Sequence, residues 1–280
     1  MVGMTCRGLA LGLLLAFAPI ALAQSDQYTQ LQRDVIESRL RQYADRNPTR
    51  EAIIRRLFEE AGCGEHLEEQ PVPHTSAPNV ICTLPGAGNG MILVGAHFDH
   101  VRSGDGVVDN WSGASLLPSL YQSLSSMPRQ HTYVFISFTD EEKGFIGSDF
   151  YAKRLTNKEA SRIQGMIDID TLGLGPTEVW ASNSDPVLVE ELSDLASTMS
   201  LPALIMNVDG MGDSDGRSFK RRKIPIITLH SVTKDTLRIL HTANDNLTAI
   251  KIDDYYDSYK LIAAYLAMLD SSLEQSREFG

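Results

Sequence analysis

Hydrophobic and polar residues follow two patterns along this chain, one typical of helices and one typical of buried strands. Leu31, Val35, Ile36 and Leu40 recur at helical spacing between charged residues, so residues 26–43 are predicted to form an amphipathic helix. Further helices are predicted at 114–124, 148–155, 186–199 and 252–273.

The second helix has boundary signals of its own. Asn47 is predicted to be its N-cap and Pro48 its first residue, because Asn caps helices well and Pro suits the first turn. Gly62 is predicted to end it. The polar segment 64–78, which prolines interrupt, is predicted to be an exposed connection.

Short apolar runs predict the strands. Residues 79–84 and 91–96 are predicted to form a hairpin around the Gly-rich turn 85–90, and 92–96 is apolar throughout, as inside a sheet. Strands that alternate with helices predict a three-layer α/β/α sandwich with a mixed, largely parallel central sheet, in one domain over residues 24–280. Further strands are predicted at 131–138, 163–169, 177–181, 203–207 and 224–229.

The first 23 residues have the pattern of a secretory signal peptide. Arg7 precedes the apolar stretch 9–20, and Ala21-Leu22-Ala23 forms a small-x-small cleavage site. A membrane anchor is the alternative, but the stretch is shorter than the about 20 residues that a spanning helix needs. We therefore expect cleavage after Ala23 and a secreted or periplasmic protein that has no membrane association after its signal is removed.

Charge and cysteine content narrow the function classes. The net charge is −11, and loss of Arg7 with the signal would make it −12, which argues against a nucleic-acid partner. Cys6 lies in the signal, so Cys63 and Cys82 are the remaining pair, and an oxidising compartment favours a disulfide between them. A cysteine metal site would need more ligands.

Metal-compatible side chains stand at the ends of predicted strands. Glu141 and Glu142 follow strand 131–138, where one carboxylate could bind a metal and the other could move a proton; a solvated acidic loop is the alternative. Imidazole and carboxylate ligands without cysteine suit zinc or a similar divalent ion. The candidates are His97, Asp99, Asp109, Glu141, Glu142, Asp170, His241 and Asp245.

Five short motifs, taken in order, resemble the M28 family of two-zinc aminopeptidases. They lie between residues 79 and 245, and the resemblance depends on the whole set, since single motifs would be weak. The motifs are Gly95-Ala96-His97-Phe98-Asp99-His100, residues 106–114 around Asp109, residues 139–148 around Glu141 and Glu142, Ile167-Asp168-Ile169-Asp170-Thr171-Leu172-Gly173, and His241-Thr242-Ala243-Asn244-Asp245.

The resemblance implies a ligand set for two zinc ions and a peptide substrate with a free N-terminus. Asp109 would bridge the ions, since a shared carboxylate holds two cations close enough for one water to touch both. His97 and Asp170 would complete one position. Glu142 and His241 would complete the other.

Two further residues have implied roles in catalysis. Glu141 would be the general base, which takes a proton from the attacking water and returns it to the leaving amine. Asp99 would hydrogen-bond the far nitrogen of His97 and fix its tautomer. Asp245 could support His241 in the same way.

Several neighbouring residues leave alternatives open. Asp168 lies on the same strand face as Asp170 and is the alternative ligand. His131 and His230 are predicted to be structural, and His100 is predicted to lie beside the site without binding metal. The family often has Ser-Asp-His where this chain has Ser214-Asp215-Gly216, so a histidine that could line the pocket is absent.

Three functions are compatible with these residues. The first is an exported zinc-dependent aminopeptidase with Glu141 as its base. The second is a single-zinc glutaminyl cyclase, an acyl transferase of the same fold, although the run from Glu141 to Ser148 favours hydrolysis. The third is a non-catalytic binding protein, which we would expect to have lost ligands.

Overall fold

The computed structural model describes residues 28–208, 210 and 212–278, with side chains up to residue 273. The predicted signal peptide, residues 1–23, lies outside the described residues. No helix of the described part is long and apolar enough to cross a membrane.

Eight strands form one mixed sheet in the order β1-β2-β4-β3-β5-β8-β6-β7. The strands β4, β3, β5 and β8 run parallel to one another at its centre, and β6 also pairs parallel with β7, whereas β1–β2, β2–β4 and β6–β8 are antiparallel pairs. The strands are β1 (Leu67–Gln70), β2 (Asn79–Leu84), β3 (Met91–His97), β4 (Thr132–Phe138), β5 (Ile163–Ile169), β6 (Thr177–Trp180), β7 (Ala203–Met206) and β8 (Ile226–His230).

The predicted hairpin of 79–84 with 91–96 is wrong. Both strands exist, but β4 lies between them, antiparallel to β2 and parallel to β3. Val80 pairs with Ser137, and Met91 pairs with Thr132. The turn at 85–90 therefore crosses over one strand instead of reversing between neighbours.

Helices cover both faces of the sheet and make the predicted sandwich. Alternation along β3 shows the two layers, because Ile92 and Val94 pack in one apolar cluster and Leu93 packs in the other. The helices are α1 (Arg33–Leu40), α2 (Asn47–Glu60), α3 (Ser112–Ala114), α4 (Leu117–Leu124), α5 (Ile146–Arg154), α6 (Asn157–Ala160), α7 (Pro186–Met199), α8 (Gly216–Lys220) and α9 (Ile252–Glu278).

The clusters on the two faces contain different helices. The larger one holds buried residues of α1, α2, α4, α7 and α9, and the smaller one holds Ala152 of α5 and Phe219 of α8. Tyr255 of α9 donates a hydrogen bond to Ser112 O (2.8 Å), which fixes α9 against the start of α3. The long C-terminal helix thus supports the segment that follows Asp109.

Local boundaries differ from the prediction at several elements: the predicted helix 114–124 is divided between α3 and α4, and three further differences lie before residue 80. The first helix is shorter than 26–43, and the segment 64–78 contains strand β1 as well as connections. Asn47 is the first residue of α2 and does not cap it; its Nδ2 donates to Asp140 Oδ1 (3.3 Å) instead. Asn47 thereby ties the start of α2 to the turn that carries the acidic pair.

The predicted disulfide is present. Cys63 follows the end of α2, Cys82 lies in β2, and their Cα atoms are 6.1 Å apart. Both side chains are buried in the larger apolar cluster. The bond links the outer helix layer to the sheet.

Candidate metal centre

The ends of three neighbouring strands bring most of the predicted residues to one edge of the sheet. His97 is the last residue of β3, and Asp170 directly follows β5, its neighbour. Glu141 and Glu142 follow β4 on the other side of β3. Because these strands are parallel, their carboxyl ends meet, as is usual for sites in such sheets.

Five side chains form two groups of three that share one residue. In each group, one potential ligand atom per residue lies within 4.8 Å of the others. We call them the inner and the outer group because their exposure differs. The inner group is His97, Asp109 and Asp170, and the outer group is Asp109, Glu142 and His241.

Asp109 belongs to both groups because its two carboxylate oxygens face different histidines. His97 Nε2 lies 3.3 Å from Oδ1, and His241 Nε2 lies 3.1 Å from Oδ2. The residue stands in the buried loop before α3, and its peptide bond to Asn110 is cis. One carboxylate thus links two clusters of potential ligands.

The remaining contacts complete each group and leave ligand atoms free. His97 Nε2 is 3.6 Å from Asp170 Oδ1, and His241 Nε2 is 3.1 Å from Glu142 Oε2. Asp170 Oδ1 and Glu142 Oε1 are buried without a hydrogen-bond partner in the described chain. A buried carboxylate oxygen without a partner is costly, so a bound cation would fit both groups.

The electrostatics of the cluster favour added positive charge. Burial lowers the pKa of His97, but the neighbouring carboxylates, Glu141 first, raise it well above the usual value. Asp109 and Glu142 raise the pKa of His241 to about 10. Burial alone would raise the pKa of Asp109, but the hydrogen bonds of the two histidines outweigh burial and hold this pKa below its usual value. Protons on the histidines thus partly neutralise the acids, as a cation would.

Glu141 lies beside the groups and belongs to neither. Its Oε2 is 3.9 Å from His97 Nε2, and its side chain is buried. Burial and the nearby carboxylates of Asp215, Asp170 and Asp109 raise its pKa to about 10. A nearby divalent ion would favour the ionised form.

Asp99 holds the acidic pair as well as the histidine. Its Oδ1 accepts a hydrogen bond from Glu141 N (2.9 Å), and its Oδ2 accepts one from Glu142 N (3.2 Å). His97 Nδ1 lies 3.2 Å from the backbone oxygen of Asp99 and 3.5 Å from Oδ1. The same buried residue therefore orients His97 and the backbone of both glutamates.

The loop of Asp109 is held by side chains from distant elements. Asp245 accepts hydrogen bonds from Val108 N (2.7 Å) and Asp109 N (3.3 Å), so it supports Asp109, where the sequence suggested support of His241. Asn110 donates to Ile169 O (2.9 Å) and accepts from Thr171 N (3.1 Å). Asn110 thereby joins this loop to the end of β5, next to Asp170.

Arg50 of α2 is fully buried behind the centre. Its guanidinium donates to the backbone oxygens of Phe98 (3.0 Å) and Gly106 (3.1 Å), and also to that of Asp105. Its carbon Cζ lies 5.5 Å from the centre of the Trp111 ring. One cationic side chain thus connects the segments that carry His97 and Asp109.

The structure places Asp170, not Asp168, in the inner group. Asp168 Oδ2 accepts hydrogen bonds from Gly216 N (3.0 Å) and Thr228 Oγ1 (3.4 Å). A Cβ at residue 216 would lie 2.9 Å from that same oxygen. Gly216 therefore allows the start of α8 to approach Asp168 closely.

The two groups border a pocket of about 510 Å³. Its lining has an acidic part and an apolar part, and among the described residues no lysine or arginine lines it. The acidic lining consists of Asp109, Glu141, Glu142, Asp170 and Asp213, together with His241. The apolar lining consists of Phe145, Trp180, Val208, Val232, Leu237 and Leu240, together with His230.

Comparison with known families identifies the chain. The model of peptidase family M28 matches residues 79–266, which include every member of both groups. The chain belongs to peptidase family M28.

Curated relatives of this M28 chain are longer proteins. Leupeptin-inactivating enzyme 1 of Streptomyces exfoliatus is 30% identical over 157 residues, which cover 55% of this chain and 35% of the relative. Aminopeptidase Y of Saccharomyces cerevisiae is 28% identical over 214 residues, which cover 70% of this chain and 39% of the relative. The chain spans well under half the length of these two relatives.

Solved structures share the M28 fold over most of the chain. The LapA aminopeptidase of Legionella pneumophila has a TM-score of 0.76 at 20% identity and covers 90% of this chain and 74% of its own. BSAP, a zinc aminopeptidase from Bacillus subtilis, has a TM-score of 0.62 at 23% identity. The match covers 68% of this chain and 49% of BSAP. A glutaminyl cyclase from an Acidobacteriales bacterium has a TM-score of 0.70 at 15% identity. The match covers 95% of this chain and 100% of the cyclase.

The sequence singled out some residues near the two groups of this M28 chain and did not single out others. His131 pairs with Asp270 of α9 (3.2 Å), and His100 contacts Asp45 O (2.8 Å), both outside the two groups. His230, predicted to be structural, lines the pocket. Its position at the end of β8, like that of His97 at the end of β3, was a signal that could have found it. Arg50 and Asn110 carried no comparable signal.

Proposed function

We propose that this M28 protein is an aminopeptidase that hydrolyses the N-terminal peptide bond of its substrates with the help of two divalent metal ions. The observation that carries this proposal is Asp109, whose two oxygens face two separate groups of ligand type. Curated relatives that carry aminopeptidase names support the same activity.

The ligands suit zinc. His97, Asp109 and Asp170 would hold one ion, and Asp109, Glu142 and His241 would hold the other. Each group offers imidazole nitrogen and carboxylate oxygen, which zinc accepts in catalytic sites. When bound, such a pair of ions supplies Lewis acidity and lowers the pKa of an attacking water.

Glu141 would act as the general base. It is buried beside both groups, and its carboxylate is not used by either. In the reaction it would accept the proton of the attacking water and pass it to the leaving amine. Asp99, through its hydrogen bonds to Glu141 N and Glu142 N, would keep the two neighbouring carboxylates in their separate positions.

The acidic lining would also suit a free N-terminus. A peptide ammonium carries a positive charge, and the pocket presents five carboxylates without a lysine or arginine among its described lining residues. A blocked N-terminus would lose this attraction. We therefore infer a requirement for a free α-amino group.

We further propose that the protein is exported as one catalytic domain from residue 24. The Cys63–Cys82 disulfide supports this location, because such bonds persist in oxidising compartments. The acidic composition supports a peptide substrate over a nucleic acid.

The test compares L-leucine 4-nitroanilide with its N-acetyl form, before and after metal chelation and zinc addition. We expect hydrolysis of the free form only, loss of activity with the chelator, and recovery with zinc. Equal hydrolysis of both forms would refute the aminopeptidase proposal. Full activity in the chelated protein would refute the metal requirement.

A glutaminyl cyclase is the second candidate, because the structure with that name matches this chain along nearly the full length of both. Mass spectrometry of a peptide with N-terminal glutamine separates the reactions. Hydrolysis releases free glutamine, whereas cyclisation keeps the peptide and releases ammonia. Our proposal predicts hydrolysis, with two zinc ions per chain.

A further inference from the structure

His230 stands in a row of polar side chains across three neighbouring strands. The ladder from β5 to β8 pairs Ile169 with Leu229, so His230 lies beside Asp170, about one strand spacing of 4.8 Å away. On its other side, His230 pairs with Glu178 of β6. A substrate bound at the inner group would therefore reach His230 with its N-terminal residue.

The hydrogen bonds of His230 fix its tautomer. Val232 N donates to His230 Nδ1 (3.1 Å), so Nδ1 is the acceptor and the proton lies on Nε2. Glu178 Oε2 is 3.6 Å from Nδ1, beyond hydrogen-bond distance. Burial lowers the pKa of His230 to about 4, so the ring is neutral at physiological pH.

The remaining ring nitrogen has no partner among the residues that the structure describes. His230 is 4% exposed, and its Nε2 has no hydrogen-bond partner in the described chain. Buried donors are nearly always paired, and an unpaired one calls for an explanation. The ring lines the pocket next to the apolar side chains of Val208, Val232 and Leu237, so a ligand in this pocket is the natural source of an acceptor.

We propose that His230 Nε2–H donates a hydrogen bond to an uncharged oxygen on the side chain of the substrate's N-terminal residue. This inference rests on the proposed aminopeptidase function. The pocket carries carboxylates and, among its described lining residues, no lysine or arginine, so a carboxylate side chain would be repelled. The class of N-terminal residue that fits has an amide oxygen on a short apolar stem, as in asparagine and glutamine.

Two substitutions of similar length isolate this donor. His230→Gln keeps an N–H donor near the position of Nε2, whereas His230→Met fills the same space without one. Both remove the acceptor for Val232 N, so a structural effect of that loss is common to both. The substrates are the near-isosteric 4-nitroanilides of L-asparagine and L-leucine, compared by kcat/KM.

In His230→Met, we expect the asparagine-to-leucine ratio of kcat/KM to fall about tenfold, the usual effect of one lost hydrogen bond of this kind. His230→Gln should keep the ratio near that of the wild type. An unchanged ratio in His230→Met, or an equal fall in both variants, would overturn the inference. A uniform loss with both substrates would indicate a structural role alone and would also overturn it.

Calorimetric binding of free L-asparagine and L-leucine gives a second measurement that needs no turnover. All three proteins are measured with zinc bound. The wild type should bind L-asparagine and L-leucine with a certain affinity ratio, which His230→Met should lose and His230→Gln should keep. Failure to hydrolyse either anilide would reject the proposed function. If His230→Met keeps the asparagine-to-leucine affinity ratio of the wild type, the proposed role of His230 is rejected, whatever the outcome of the hydrolysis assay.

Discussion

The acidic and the apolar lining belong to one pocket but differ in how their polar atoms are satisfied. In the acidic lining, Asp109 contacts two histidines, and Glu142 and Asp170 each have one oxygen without a hydrogen-bond partner among the described residues. In the apolar lining, His230 is neutral, and its Nε2–H donor has no partner in the described part of the chain. The first region thus suits cations and proton transfer, and the second suits recognition of an uncharged side chain.

The largest effect is expected where one residue serves both metal groups. Asp109→Asn keeps the side-chain volume but removes the shared charge, so zinc content should fall from about two per chain toward none. Turnover should fall by well over 100-fold, since even residues behind the ligands cost 10–100-fold. Zinc analysis and kcat/KM on the purified variant measure both.

Asp213→Asn is the matched control for that substitution. Asp213 also lines the pocket, but its Oδ2 pairs with Arg217 Nη1 (2.8 Å) at the exposed rim. This variant should keep both ions and most of the activity. Equal loss in the two variants would mean that pocket charge in general, and not Asp109, determines metal binding.

The two histidines should differ in their effect on stability. His97 is buried, whereas the side chain of His241 is 55% exposed. His97→Gln and His241→Gln should each remove about one zinc ion. In the metal-free protein, His97→Gln should lower the free energy of unfolding by about 1–3 kcal/mol and His241→Gln by about 0.5 kcal/mol or less. Urea unfolding in chelator compares them, and equal losses would contradict the division into inner and outer groups.

Asp99→Asn should reduce zinc affinity or turnover to a moderate extent. The amide places a donor against one of the backbone N–H groups of Glu141 and Glu142, so the glutamates lose their fixed positions. We expect a 10–100-fold loss in zinc affinity or turnover. Asp168→Asn, a buried acid outside both groups, should keep zinc affinity; a comparable loss there would remove the special role of Asp99.

Glu178→Gln should change turnover least and stability in a pH-dependent way. Burial raises the pKa of Glu178 from 4.5 to about 7, so the folded state holds a proton that the unfolded state loses. Wild-type stability should therefore fall as the pH rises from about 4.5 to 7. The free energy of unfolding of the variant, measured with urea relative to the wild type, should rise by on the order of 1–2 kcal/mol between pH 5 and pH 8. No difference between these pH values would contradict the raised pKa.

The sequence predicted the parts of the fold that depend on local pattern. The bounds of β5 and α7 agree residue for residue, because apolar runs and a proline in the first turn determine them locally. The pairing of β2 failed, since no local signal shows that β4 inserts between β2 and β3. Strand order depends on packing between distant segments.

The same distinction holds within the site. His97, Glu141, Glu142 and Asp170 could be predicted from their positions near strand ends, which converge in any parallel sheet. Arg50 could not, because its role comes from contacts with backbone atoms 48 to 56 residues further along the chain. Residues that act by joining elements are visible only in the folded chain.

The most direct test measures zinc content and turnover of Glu141→Gln and Glu142→Gln side by side. The two residues are adjacent and the substitutions are identical, so only their positions differ. Glu141→Gln should keep the zinc content of the wild type and lose turnover by 100-fold or more, as expected for a general base. Glu142→Gln should lose about one zinc ion per chain. Equal zinc loss in both variants, or full turnover in Glu141→Gln, would contradict the assignment of separate roles.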